Sequence, residues 1–119
     1  PNKTTKAVSN GLRPKSITNF LNSLPLVFQR DKSEGVDATY HFTFTGEEKH
    51  QATIVIRKKS VQIDNGLVGV PDLHVTADSG AWLGFIRKEH GIIMPLLLRK
   101  IRLKGPVRLL RAFGRCFPA

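Results

Sequence analysis

Between Ala38 and Thr45 the chain reads ATYHFTFT, placing Tyr40, Phe42 and Phe44 on one side of an extended backbone and His41, Thr43 and Thr45 on the other. Side chains alternate across a strand with a period of two, so this stretch predicts a strand with one aromatic face turned to a core. Gly46 and Glu47 open a hairpin connection to QATIVIRKK, where Ala52, Ile54 and Ile56 share a face. SVQIDNG then adds Val61 and Ile63 before Asp64, Asn65 and Gly66 make a turn. A fourth alternation, DLHVTA, sets Leu73, Val75 and Ala77 together, and KIRLKG alternates Ile101 and Leu103 with Arg102 and Lys104 as a last strand.

Around these strands the period changes to 3.6. Ser16 can cap a short helix carrying Ile17, Phe20, Leu21 and Leu24, which Pro25 is expected to break. Asp78 or Ser79 can cap GAWLGFIRKEH, Pro95 starts or kinks a short helical piece, and Pro106 stands at the favoured first position of a closing helix. On a wheel of that closing helix Leu109, Leu110, Phe113, Cys116 and Phe117 fall on one side, and Arg108, Arg111 and Arg115 on the other. The order is helix, three strands, strand, helices, strand, helix, which predicts an α+β domain with the helices on one face of the sheet.

A chain of 119 residues suits one domain. Residues 1–15 carry Lys3, Lys6, Arg13 and Lys15 without an apolar pattern and are expected to be a flexible basic arm or linker, leaving 16–119 as the folded domain. The longest apolar run, GIIMPLLL, contains a proline and falls far short of the roughly 20 residues of a membrane span. That predicts a soluble or peripheral protein. Cys116 is the lone cysteine, which rules out an internal disulfide and fits a reducing compartment. With no peroxisomal Ser-Lys-Leu-like ending, the cytoplasm is the expected location.

The formal charge of +10 directs the chain to anionic partners. Nucleic acid is not expected among them: no helix-turn-helix, zinc-finger or RNP-like motif is present, and the aromatics occupy predicted inward faces rather than standing beside the arginines. Catalysis finds no support either. His41, His50, His74 and His90 lack the close spacing of a local metal site, Cys116 sits on an apolar helix face, and GLVG at 66–69 reads as a plain turn rather than a phosphate loop. Adjacent Glu47 and Glu48 read as solubilising turn residues. The chain is therefore expected to be no enzyme, and neither cofactor nor metal is implied.

Four segments taken in order, LPLVFQRDKSEGVDATYHFTFTGE, QATIVIRKKSVQIDNG, PDLHVTADSGAWLGFIRKEHG and KIRLKGPVRLLRAF, resemble the sterol carrier protein type 2 domain, also called the nonspecific lipid-transfer domain, over roughly 16–117. The resemblance implies a five-stranded, mostly antiparallel sheet covered by helices, with an apolar tunnel between the layers that takes fatty acids, acyl-CoA, sterols or other lipids without chemistry. Three departures from the family stand out: Arg57, Lys58 and Lys59 replace a Gly-containing turn, the segment GIIMPLLLRK is shorter and greasier, and Pro106 replaces a common acidic residue.

On this basis the expected ligand-binding residues are Phe20, Phe28, Phe42, Phe44, Trp82, Phe85, Ile86, Met94, Leu98, Leu109, Leu110 and Phe113. Plain core is the competing reading for each of them. Enclosing a chain of ~16 carbons at ~0.8 kcal/mol per CH₂ would yield about 12 kcal/mol gross, before the costs of association. Arg99, Lys100, Arg102, Lys104, Arg108, Arg111 and Arg115 are expected to make transient contact with anionic membranes, each adding ~1 kcal/mol near the surface. The alternative function is a non-catalytic accessory or scaffold module fused to, or associated with, a lipid-metabolising enzyme.

Overall fold

The computed structural model of the protein describes residues 14–118. The expected arm over 1–15 lies outside the described residues except for Pro14 and Lys15. Pro14 is buried, and its carbonyl accepts from Arg87 Nη1 at 2.9 Å.

Five strands form one sheet: β1 (Ala38–Thr45), β2 (His50–Arg57), β3 (Ser60–Asn65), β4 (Leu73–Asp78) and β5 (Ile101–Lys104), in the spatial order β3-β2-β1-β4-β5. Pairing is antiparallel except between β1 and β4, which run parallel with Tyr40 opposite Leu73 and Phe44 opposite Ala77. Parallel neighbours need a crossover, and residues 66–72 supply it. Thr53 Oγ1 donates to the Gly66 carbonyl and accepts from Val68 N, both at 2.8 Å, and His41 Nε2–H donates to the Val68 carbonyl at 2.9 Å. Thr53 and His41 are thereby buried although their strands point them away from the helices.

The helices are α1 (Ile17–Val27), α2 (Ser79–Ile86), α3 (Ile93–Leu97) and α4 (Val107–Cys116). Ser16 caps α1 through Asn19 N at 3.0 Å, as its sequence predicts. Pro25 does not end that helix. The last turn runs on to Val27, whose burial holds it in place, and Pro25 is tolerated on the exposed side. Glu48 also departs from its expected solubilising role: its Oε1 accepts from Ile17 N at 2.9 Å, placing a carboxylate at the positive end of α1. Asp78 rather than Ser79 caps α2, accepting from Ala81 N at 3.0 Å.

Helices α1, α2 and α4 cover the face of the sheet that carries Tyr40, Phe42 and Phe44. Phe42 lies at the centre of an aromatic layer, with ring centroids 6.4 Å from Phe20, 5.3 Å from Trp82 and 5.4 Å from Phe113. Burial of this layer, together with Leu24, Ile54, Ile56, Leu73 and Val75, is the main stabilising contribution.

Candidate functional site

Between the end of α2 and the inner face of α4 lies a cleft of about 550 Å³, lined by Phe85, Ile86, Lys88, His90, Gly91, Leu110, Phe113, Gly114, Phe117 and Pro118. Its size falls within the range of small-ligand sites, and its walls are mainly apolar. Both walls follow from local sequence. The wheel of α4 turns Leu110, Phe113 and, beyond the helix end, Phe117 inward, while the end of α2 supplies Phe85 and Ile86.

A reversal after α2 builds the lip. Lys88 adopts φ 62°, a left-handed conformation usually given to glycine at a helix end, and Glu89 N donates back to the Gly84 carbonyl at 2.8 Å. This turn brings Lys88, His90 and Gly91 to the cleft. Gly114 belongs to the α4 wall, and a Cβ there would meet no atom within 4 Å.

Of the expected ligand-binding set, Phe85, Ile86, Leu110 and Phe113 line this cleft. Phe20, Phe42, Phe44 and Trp82 are fully packed in the aromatic layer behind it. Phe28 stands one layer back, its ring 5.4 Å from that of Phe117, and Leu109 is half-buried on another flank of α4. Met94 and Leu98, 57% and 59% exposed, are at the surface of α3 and outside the cleft. Phe117 was legible as part of the α4 apolar face but not as a lining residue. Lys88, His90, Gly91, Gly114 and Pro118 carry no periodic signal that could have placed them.

Among the described residues, two hydrogen bonds fasten α4 to the body. Tyr40 Oη donates to the Leu109 carbonyl at 2.7 Å, and Gln29 N donates to the Cys116 carbonyl at 2.8 Å. Burial pushes the Tyr40 phenol well above its ordinary value, with Cys116 adding to the effect, so the hydroxyl remains a donor. Burial likewise raises the Cys116 thiol. Trp82 Nε1–H is buried without a hydrogen-bond partner among the described residues, and the indole ring lies 5.3–5.7 Å from the rings of Phe20, Phe42 and Phe85.

Arg99, Lys100, Arg102, Lys104, Arg108, Arg111 and Arg115 are all exposed, and none has a carboxylate within 4 Å among the described residues. Three of them, Arg108, Arg111 and Arg115, line a groove of mixed polar and apolar character, about 260 Å³, between α4 and Gly35–Asp37, on a different side of the helix from the cleft. No group of three or more metal-ligating side chains occurs among the described residues, and none of the described helices is long and apolar enough to cross a membrane.

A five-stranded mixed sheet with helices over one face and an apolar cleft beneath the last of them defines an α+β module that carries a small-molecule-sized cleft beside its packed core. The profile of the SCP-2 sterol transfer family matches residues 21–118, and the chain belongs to that family. Among solved structures, the fold is shared with the inverting sec-alkylsulfatase Pisa1 from Pseudomonas sp. at 17% identity and a TM-score of 0.73, covering 85% of this chain and 16% of the sulfatase. It is shared with sterol carrier protein 2 like 2 from Aedes aegypti at 17% identity and a TM-score of 0.64, covering 82% of this chain and 90% of that one. Sterol carrier protein 2 from Yarrowia lipolytica, in its apo form, matches at 11% identity and a TM-score of 0.63, covering 87% and 91%. Among curated protein sequences, none matches significantly. The chain thus spans about a sixth of the sulfatase and nearly the full length of the two carrier proteins.

Proposed function

We propose that the protein binds and transfers lipids in the cytoplasm, holding the apolar part of a fatty acyl, acyl-CoA or sterol-like ligand in the cleft between α2 and α4 and doing no chemistry on it. The single observation that carries this reading is the cleft itself, an apolar space of about 550 Å³ placed where the two helices meet. Phe85, Ile86, Leu110, Phe113 and Phe117 contact the ligand, and α4 is the element that moves to admit it. The exposed arginines of α4 meet anionic lipid during loading. The buried free thiol of Cys116 agrees with a reducing compartment.

Gly114 gives the sharpest test. A Leu there projects into open space on the cleft wall, so Gly114→Leu removes a helix-interior glycine, stabilising the fold by about 0.5–1 kcal/mol, while filling the site. The expected result is a higher Tm together with loss of a fluorescent acyl probe. A variant that is more stable and binds the probe as well as wild type would overturn the assignment of the cleft. Native mass spectrometry of gently purified protein then identifies the ligand class from what denaturation releases. Arg108→Gln, Arg111→Gln and Arg115→Gln together should weaken liposome binding at low salt and spare probe affinity.

Similarity to part of an alkylsulfatase favours a second reading, in which the domain is an accessory module of a larger lipid-metabolising enzyme. The size of the native polypeptide in its source cells separates the two.

A further inference from the structure

The segment after the cleft lip holds the densest exposed apolar patch of the described chain. Ile93 is 65% exposed, Met94 57%, Leu97 70% and Leu98 59%. Their spacing of one and four residues makes one stripe along α3, while Ile92, Pro95 and Leu96 face inward. Water contact on four large side chains is a standing cost that a monomer has no reason to retain unless the stripe meets something. No charged residue lies within α3, but Arg99 and Lys100 follow it immediately, exposed and without carboxylate partners among the described residues. Arg99 takes φ 59°, so the chain turns sharply at the point where the grease ends and the charge begins.

We infer that α3 is a ridge that enters the surface of an anionic bilayer, with Ile93, Met94, Leu97 and Leu98 among the upper acyl chains and Arg99 and Lys100 at the lipid headgroups. Apolar insertion beside unpaired cations is the combination that interfacial helices use. Charge decides against a second copy as the occupant, because each copy carries a formal +10 that an anionic membrane neutralises and another copy repels. The ridge also has a purpose, which rests on the lipid-carrier reading. Gly91 lines the cleft and Ile93 begins the ridge, so the two are at most ~7 Å apart along the chain, and insertion brings the cleft's lip to the membrane surface.

The experiment follows a Leu97→Trp variant with vesicles of phosphatidylcholine and phosphatidylserine, and with pure phosphatidylcholine as the control. Trp82 is fully buried and serves as a fixed background. The introduced indole should shift to the blue and be quenched by brominated lipid on the anionic vesicles. Ile93→Gln with Leu97→Gln should lower vesicle affinity about tenfold at both low and high salt, with acyl-probe affinity in the absence of vesicles unchanged. An indole that stays in water while the protein binds vesicles overturns the inference, as does a failure to bind them at all. A blue shift that grows with protein concentration alone overturns it in favour of a second copy. Insertion by a protein that takes up no acyl probe would instead uphold the ridge and remove the carrier reading.

Discussion

Tyr40→Phe isolates the hydrogen bond that ties α4 to the sheet. The phenol lies within the core, its ring 5.3 Å from Phe113, and removing the hydroxyl leaves the packing unchanged while deleting the 2.7 Å bond to the Leu109 carbonyl. Such a bond contributes about 1 kcal/mol net, and it is broken in any state in which α4 has lifted. The variant should therefore raise the population of that open state about fivefold and lower Tm by roughly 3–6 °C. Cys116, fully buried on the same helix, reports the opening directly, because a thiol reagent reaches it only when α4 moves. Labelling in native buffer and exchange of a fluorescent acyl probe should each accelerate about fivefold. If Tm falls while both rates stay at the wild-type value, α4 is not the moving element, and lipid enters by another route.

Three further outcomes test how local geometry supports the fold. Lys58 and Lys59 form the two-residue loop between β2 and β3 at φ 52° and 61°, conformations that L-residues adopt at a cost. Lys59→Gly should raise stability by about 0.5–1 kcal/mol, strain relief exceeding the extra freedom of the unfolded glycine, and a lower denaturation midpoint would contradict that balance. At Gly46, with φ 88°, a Cβ would meet the Asp78 carboxylate that caps α2. Gly46→Ala should lose about 2–3 kcal/mol from strain and the disturbed cap together, and an unchanged midpoint would refute it. For pH, burial lowers the His74 pKa, with His41 and Lys104 acting in the same direction, so the unfolded chain takes the proton first. Its contribution is complete above about pH 6.5 and is lost as pH falls through the lowered folded value, so denaturant midpoints should drop on the acid side and drop less in His74→Gln.

What could be read in advance was what repeats. The period of two in ATYHFTFT and QATIVIRKK located β1 and β2 and their inward faces, and the divided wheel of α4 located the buried Phe113 beside the exposed Arg111. The cleft's lip could not be read that way. Lys88 and His90 are placed by a left-handed turn after α2, which depends on how that helix ends against its neighbours rather than on local pattern. Met94 and Leu98 fail for the opposite reason: apolar character predicts burial, but a five-residue helix beside an edge strand has only one covered side, and these two residues are on the other. Glu48 was legible as a turn residue, while its contact with Ile17 joins positions 31 residues apart and exists only in the folded chain.

The aromatic layer also limits what kind of carrier this chain can be. Phe20, Phe42, Phe44 and Trp82 occupy the space between sheet and helices with no exposed surface beyond 2%, and the cleft lies on the outer side of this layer, walled by Phe85 and Phe113. A ligand held in such a cleft keeps part of its length near solvent and forgoes part of the burial energy that full enclosure would supply. Weaker retention suits rapid loading and release, provided the exposed remainder of the ligand is met by something other than water. In the proposed docked state the bilayer beside α3 would do so, meeting the ridge and the adjoining lip of the cleft together, and the lipid would leave or enter without crossing bulk solvent.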